Sequence, residues 1–164
     1  MAQLRALLDT CIFGIIFKDA EKDKVADLLI KSRHLFYVYA YKPIRIEIRK
    51  NTHESRALLL KLYDSITKNE LKHTQEIENI AIEYYQELKS NFPKRTRTFE
   101  TIQIDLRIVA AAALNNLDII CTQDKKSMSS DNFKRAYDIV NTRRTLRTPN
   151  FISYEELKIA LKPR

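Results

Sequence analysis

The chain has 164 residues, 45% of them hydrophobic and 30% charged, with one Gly and four Pro; this suits one compact domain over 1–164 and excludes long low-complexity linkers. Lys and Arg exceed Asp and Glu by 29 to 21, a formal net charge of +8, which points to a polyanionic partner because neutralising phosphates releases counterions. No apolar run approaches the ~18 residues that span a bilayer, and Asp9 sits where a secretory leader would be apolar, so a soluble, cytoplasmic protein without a membrane partner is expected.

Leu7-Leu8 followed by Asp9 reads as the end of a strand, with Ile12, Phe13, Ile15, Ile16 and Phe17 in the turn or helix beyond. Over 22–33, Val25, Leu28 and Leu29 recur at helical spacing, and Asp19 suits a cap. The run Leu35-Phe36-Tyr37-Val38-Tyr39 suits a second strand. Pro43 fits the first turn of a helix whose pattern runs to about Tyr63, with a break near 51–53. Over 74–90 an amphipathic helix places Ile77, Ile80, Ala81, Tyr84 and Leu88 on one side.

A basic, Pro-containing connection follows at 92–98. The segment 105–114 then reads as a helix with four consecutive alanines, small enough to pack closely on a sheet and stopped by Asn115-Asn116. Ile119-Ile120-Cys121 has the compact apolar character of a buried parallel strand, and the run leads to Asp124. A polar loop (123–131), a short helix (133–141) and a last strand at Phe151-Ile152 come next. Ser153-Tyr154-Glu155-Glu156 is a capping-box pattern for a final helix. Strands alternate with helices, which predicts an α/β fold with a mostly parallel sheet.

Asp9 and Asp124 each follow a strand-like run, and ligands gather at the carboxyl ends of strands in open α/β sheets. Asp105 opens the helix leading into the second of those strands, and Glu47 lies between Ile46 and Ile48 in the helix after the second strand. Carboxylates gathered on one edge repel unless a cation sits among them. Mg²⁺ takes oxygen ligands and keeps several waters; bound there, it generates a hydroxide nucleophile and stabilises charge on a phosphodiester. Plainer roles stand beside this: Asp9 capping the next helix, Asp105 capping its own, Asp124 an ordinary loop acid and Glu47 a solvent-facing residue.

Leu7-Leu8-Asp9-Thr10-Cys11 resembles the opening of PIN domains, where an apolar strand delivers an Asp followed by a small or hydroxyl residue. Asp105-Leu106-Arg107-Ile108-Val109-Ala110-Ala111-Ala112-Ala113-Leu114 resembles that family's Asp-led, Ala-rich helix. Leu117-Asp118-Ile119-Ile120-Cys121-Thr122-Gln123-Asp124 is similar to the strand ending in Thr-x-Asp that follows it. Glu47 falls where the family places its helical Glu, and Asn150-Phe151-Ile152-Ser153 with Glu155-Glu156-Leu157 resembles its common ending.

The resemblance implies a three-layer α/β/α fold with a mostly parallel central sheet. It implies a Mg²⁺- or Mn²⁺-dependent ribonuclease acting on single-stranded RNA, with Asp9, Glu47, Asp105 and Asp124 as the catalytic, metal-holding residues. Thr122 would orient a carboxylate or a water. Many small members are toxins of toxin–antitoxin pairs and form homodimers, so an antitoxin and a second copy are the expected protein partners. Where many members carry a further acid just after Thr-x-Asp, this chain has Lys125 and Lys126, which points to one ion rather than two. The long helical stretch 50–90 is a second departure, and its apolar face suits dimerisation or an antitoxin.

Two basic clusters, Lys94, Arg95 and Arg97, and Arg143, Arg144 and Arg147, are candidates to grip RNA backbone or are solvated loops. Tyr84 is expected in the core; Tyr85 suits base stacking or partly buried packing. His34, His53 and His73 lack metal-ligand spacing and are expected in surface or structural roles. Cys11 and Cys121 each lie in an apolar stretch and are expected as buried free thiols. Two rival readings stand beside this one. A haloacid-dehalogenase-type phosphatase wants a second Asp two residues after the first, and Cys11 stands there. A catalytically weak or inactive PIN-like RNA-binding or scaffold module remains the alternative.

Overall fold

Five parallel strands form one sheet in the order β3-β2-β1-β4-β5. They are β1 (Leu4–Leu8), β2 (Phe36–Tyr41), β3 (Lys68–Leu71), β4 (Ile119–Cys121) and β5 (Asn150–Ile152). The helices are α1 (Thr10–Lys18), α2 (Lys22–Lys31), α3 (Lys42–Arg49), α4 (His53–Ile66), α5 (Gln75–Asn91), α6 (Phe99–Leu114), α7 (Asp131–Arg143) and α8 (Tyr154–Ala160). These coordinates are a computed structural model that describes residues 2–162.

Parallel neighbours need long crossovers, and these are right-handed. From β1 the chain steps one way, to β2 and β3; from β4 it steps the other way, to β5. The helices of the two halves therefore cover opposite faces, giving three α/β/α layers. In accord with this, α1, α2, α3 and α4 pack among themselves, as do α5, α6 and α7. The sheet is covered on both sides, which is why Ala6, Leu7 and Leu8 are all buried instead of alternating. The strand order reverses between β1 and β4, and that is where an open α/β sheet leaves a crevice at its carboxyl edge.

In α6, Ala110, Ala111, Ala112 and Ala113 are buried. Their small side chains bring this helix close to the sheet and to α5. Asn115 caps it and Asn116 takes the left-handed conformation, φ 54°. Pro43 sits in the first turn of α3, the helical pattern breaks between Arg49 and His53, and Ser153 with Glu156 closes a capping box on α8. Among the described residues, no helix is long and apolar enough to cross a membrane.

The structure corrects several expectations. The edge strand β3, Lys68-Asn69-Glu70-Leu71, was not expected, because only Leu71 is buried and no alternation marks it. Helix α6 begins at Phe99 with Thr98 as its cap, so Asp105 lies in the second turn and does not cap or open the helix. Asp19 closes α1 and accepts from Glu21 N (2.8 Å); the residue before α2 is Glu21. Cys121 is a buried thiol as expected, but Cys11 is exposed, because it stands in the first turn of α1 at the crevice mouth.

Candidate active site

Leu8 pairs with Cys121, so Asp9 leaves β1 beside Thr122 at the end of β4. The backbone fixes both residues: Asp9 N donates to Cys121 O (2.9 Å) and Thr122 N to Ile152 O (3.0 Å). Asp9 is 6% exposed. Its Oδ1 accepts from Thr10 N (2.7 Å), and its Oδ2 accepts from Thr122 Oγ1 (2.9 Å) and Cys11 Sγ (3.1 Å). Asp9 thus caps α1 as well as facing the crevice. Burial still raises its carboxyl above the ordinary range, against these hydrogen bonds and with help from the charge on Asp124.

Asp124 is held by the turn that follows it. Its Oδ1 accepts from Lys126 N (3.0 Å) and Ser127 N (2.9 Å), and its Oδ2 accepts from Ser127 Oγ. Burial opposes ionisation of Asp124, but these donors win and keep its carboxyl below the usual range. The same Ser127 hydroxyl lies 3.2 Å from Asp105 Oδ2 on α6. Asp105 is pushed up to about 7, by burial first and then by the charges on Asp9 and Asp124, with Glu47 adding to them. Glu47 reaches in from α3, where its Oε2 accepts from Thr10 Oγ1.

The structure therefore brings Asp9, Glu47, Asp105 and Asp124 to the switch point, where Thr10 Oγ1 bonds Glu47, Thr122 Oγ1 bonds Asp9 and the Ser127 hydroxyl stands between Asp105 and Asp124. Thr122 Oγ1 donates to Asp9 and accepts from Asp124 N (3.0 Å). Sequence reasoning missed Ser127. Its signal was the Asp-x-x-Ser spacing of a turn in which an Asp accepts from the backbone ahead of it.

The expected ion is tested by the donors. All four acids offer hard oxygens, and the charges that most affect Asp105 are negative. That chemistry fits a hard divalent cation. As they stand, however, no three His, Cys, Asp or Glu side chains among the described residues converge closely enough to hold an ion.

The candidate RNA-binding arginines lie away from this cluster in sequence and differ in surroundings. Arg95 and Arg97 are exposed in the connection before α6. Arg143 pairs with Glu87 (3.0 Å), and Arg144 with Glu76 and Glu83, tying α7 to α5. Tyr84 is buried as expected, and Tyr85 packs edge-on against Phe99 at 5.4 Å. His73 has a structural role: Nδ1 pairs with Tyr41 Oη (2.7 Å) and Nε2 with Glu78.

No family model matches the sequence, and no curated protein matches it. Among solved structures it is similar to a chain in the crystal structure of VapBC2 from Rickettsia felis bound to a DNA fragment from their promoter. The TM-score is 0.50 at 14% identity, over 92% of this chain and 98% of that one. At that identity the likeness concerns the fold. The chain has the PIN-like three-layer α/β/α fold that the sequence resemblance implies.

Proposed function

We propose that the protein is a cytoplasmic, metal-dependent ribonuclease that hydrolyses phosphodiester bonds of single-stranded RNA, and the toxin of a toxin–antitoxin pair. The observation that most supports this is the gathering of four acids at the sheet's switch point, with Asp105 pushed up to about 7 by burial and by its anionic neighbours. A crevice that destabilises its own carboxylates in this way favours a cation. In this reading Asp9, Glu47, Asp105 and Asp124 hold Mg²⁺ or Mn²⁺, which when bound supplies an activated water and charge stabilisation at the phosphate. Thr122 and Ser127 orient Asp9, Asp105 and Asp124. Arg95 and Arg97 contact the RNA backbone; Arg143 and Arg144 would do so only by exchanging their glutamates for phosphates. The homodimer and the antitoxin belong to the same reading and rest on the resemblance and the fold.

That no three of these side chains converge on one point among the described residues favours one second reading, a catalytically weak or inactive RNA-binding module. Labelled single-stranded RNA incubated with Mg²⁺, Mn²⁺ or chelator, beside Asp9→Asn and Asp124→Asn, separates the two. Metal-dependent cleavage lost in both variants supports the nuclease; RNA bound but uncut under every metal supports the module.

A further inference from the structure

A polar cavity of about 830 Å³ opens directly beside the acids, with Thr122 as the shared wall. Lys125 and Lys134 line it, together with Ser129, Ser130 and Phe151. Its volume lies within the ~300–1,000 Å³ range of sites that enclose small ligands. Among the described residues the lysines in ion pairs are Lys24, Lys31 and Lys158; Lys125 and Lys134 are not among them. The cavity also has an acid in its wall, Glu156, but Ser153 N donates to that carboxylate (2.6 Å) and holds it on the cap of α8. Asp131, the other acid there, is exposed.

Phe151 is the cavity's aromatic ring, and it is already engaged. Tyr137 stacks on it (5.8 Å, 20°) and Lys134 Nζ sits 5.5 Å from its centroid. Ser129 Oγ is also committed, donating to Asp124 O (2.7 Å). After the Ser153 hydrogen bonds, Lys125 and Lys134 also help to hold the Glu156 carboxyl below its ordinary value, so a ligand would compete with Glu156 and Asp131 for their charge. Lysine recognises a phosphate as a point charge and carries no base information.

We infer that this cavity is the subsite for a phosphate of the single-stranded RNA next to the one at the acids, with Lys125 and Lys134 as its counterions. This rests on the nuclease reading for the strand's identity, but its binding arm does not require cleavage. It places cations where the sequence carries Lys125 just after Asp124, so the strand would pass from an ion-dependent site to a lysine-dependent one across Thr122.

The test is binding of fluorescent single-stranded oligo-U and oligo-A RNA to the whole protein in chelator, over a series of salt concentrations. Lys125→Ala/Lys134→Ala is compared with Lys24→Ala/Lys31→Ala, which removes the same charge from α2. The cavity variant should bind roughly tenfold more weakly, equally for both oligomers, with the salt slope reduced by about 1. The α2 variant should stay within about twofold of the parent. An unchanged slope in the cavity variant, an equal loss in both variants, a loss confined to one base, or no RNA binding by the parent would overturn the subsite. RNA binding that depends on these lysines without cleavage under any metal would instead leave the subsite standing and overturn the nuclease.

Discussion

Thr122 Oγ1 donates to Asp9 Oδ2 at 2.9 Å, across two parallel strands whose residues are 113 apart in the chain. The same oxygen accepts from Asp124 N, so one hydroxyl sets both strand-end acids. Thr122→Val keeps the shape and removes both bonds. It should cost on the order of 1–3 kcal/mol, because Asp9 and Asp124 N lose a buried partner. Metal-dependent RNA cleavage should fall by ~10–100-fold. Thr122→Ser should retain most of both. Chemical denaturation and an initial-rate assay read the two effects, and a valine variant as active as the parent would remove Thr122 from the site.

Asp105 gives the stability a distinctive pH dependence. Its folded carboxyl, pushed up to about 7, lies above the unfolded value near ~4. The folded state therefore binds the proton more tightly, so the contribution is fully present below about pH 4 and is lost as pH rises through about 7. Raised Asp9 acts in the same direction. In chelator, stability should decline between about pH 5 and 7.5. Asp105→Asn should flatten this slope, and at pH 7.5 should stabilise the protein by on the order of 1–3 kcal/mol while abolishing cleavage. Urea titrations at several pH values decide it; a slope unaltered by the substitution would mean that Asp105 is not the group responsible.

Much of this was readable from residue order. An Asp straight after Leu7-Leu8, a Thr-x-Asp after Ile119-Ile120-Cys121 and an alanine run between them placed the acids on one edge, because parallel strands end on the same side. Local signals also located Pro43, Asn115-Asn116 and the Ser153 cap. What escaped was set by tertiary context. Strand β3 is polar and owes its conformation to pairing with β2, which propensity does not register. Ser127 gains its role only when α6 brings Asp105 to the turn after Asp124. Arg143 and Arg144 looked free because their glutamates lie on α5, tens of residues away.

Arg144 should behave as a structural arginine and Arg143 should not. Arg144 spans Glu76 and Glu83 with its side chain 26% exposed, whereas Arg143 is 63% exposed and holds Glu87 alone. The Arg144 guanidinium keeps the Glu83 carboxyl below its ordinary value. Arg144→Ala should therefore lower stability by about 1 kcal/mol, less in high salt, and Arg143→Ala by under about 0.5 kcal/mol. Thermal melts at two ionic strengths measure both, and the reverse order would show that the α5–α7 ion network is not what Arg144 supports.

Cys11 is exposed as a residue, yet its sulfur turns inward, with Sγ–H donating to Asp9 Oδ2 at 3.1 Å. Burial of the sulfur and then the Asp9 charge push the thiol up to about 12. Since thiolate is the reactive form, iodoacetamide at pH 8 should modify Cys11 at least about a hundredfold more slowly than a free cysteine. Buried Cys121 should also resist, so both thiols should react only on unfolding. Asp9→Asn removes the nearby negative charge and should speed the reaction at Cys11 in the folded protein. Mg²⁺ should do the same to the parent if it binds at Asp9, because an added cation favours the thiolate. Mass spectrometry of timed alkylation reports each rate without any nuclease assay. A parent rate indifferent to saturating Mg²⁺ would count against ion binding at Asp9, while fast modification in chelator would contradict the inward placement of the sulfur.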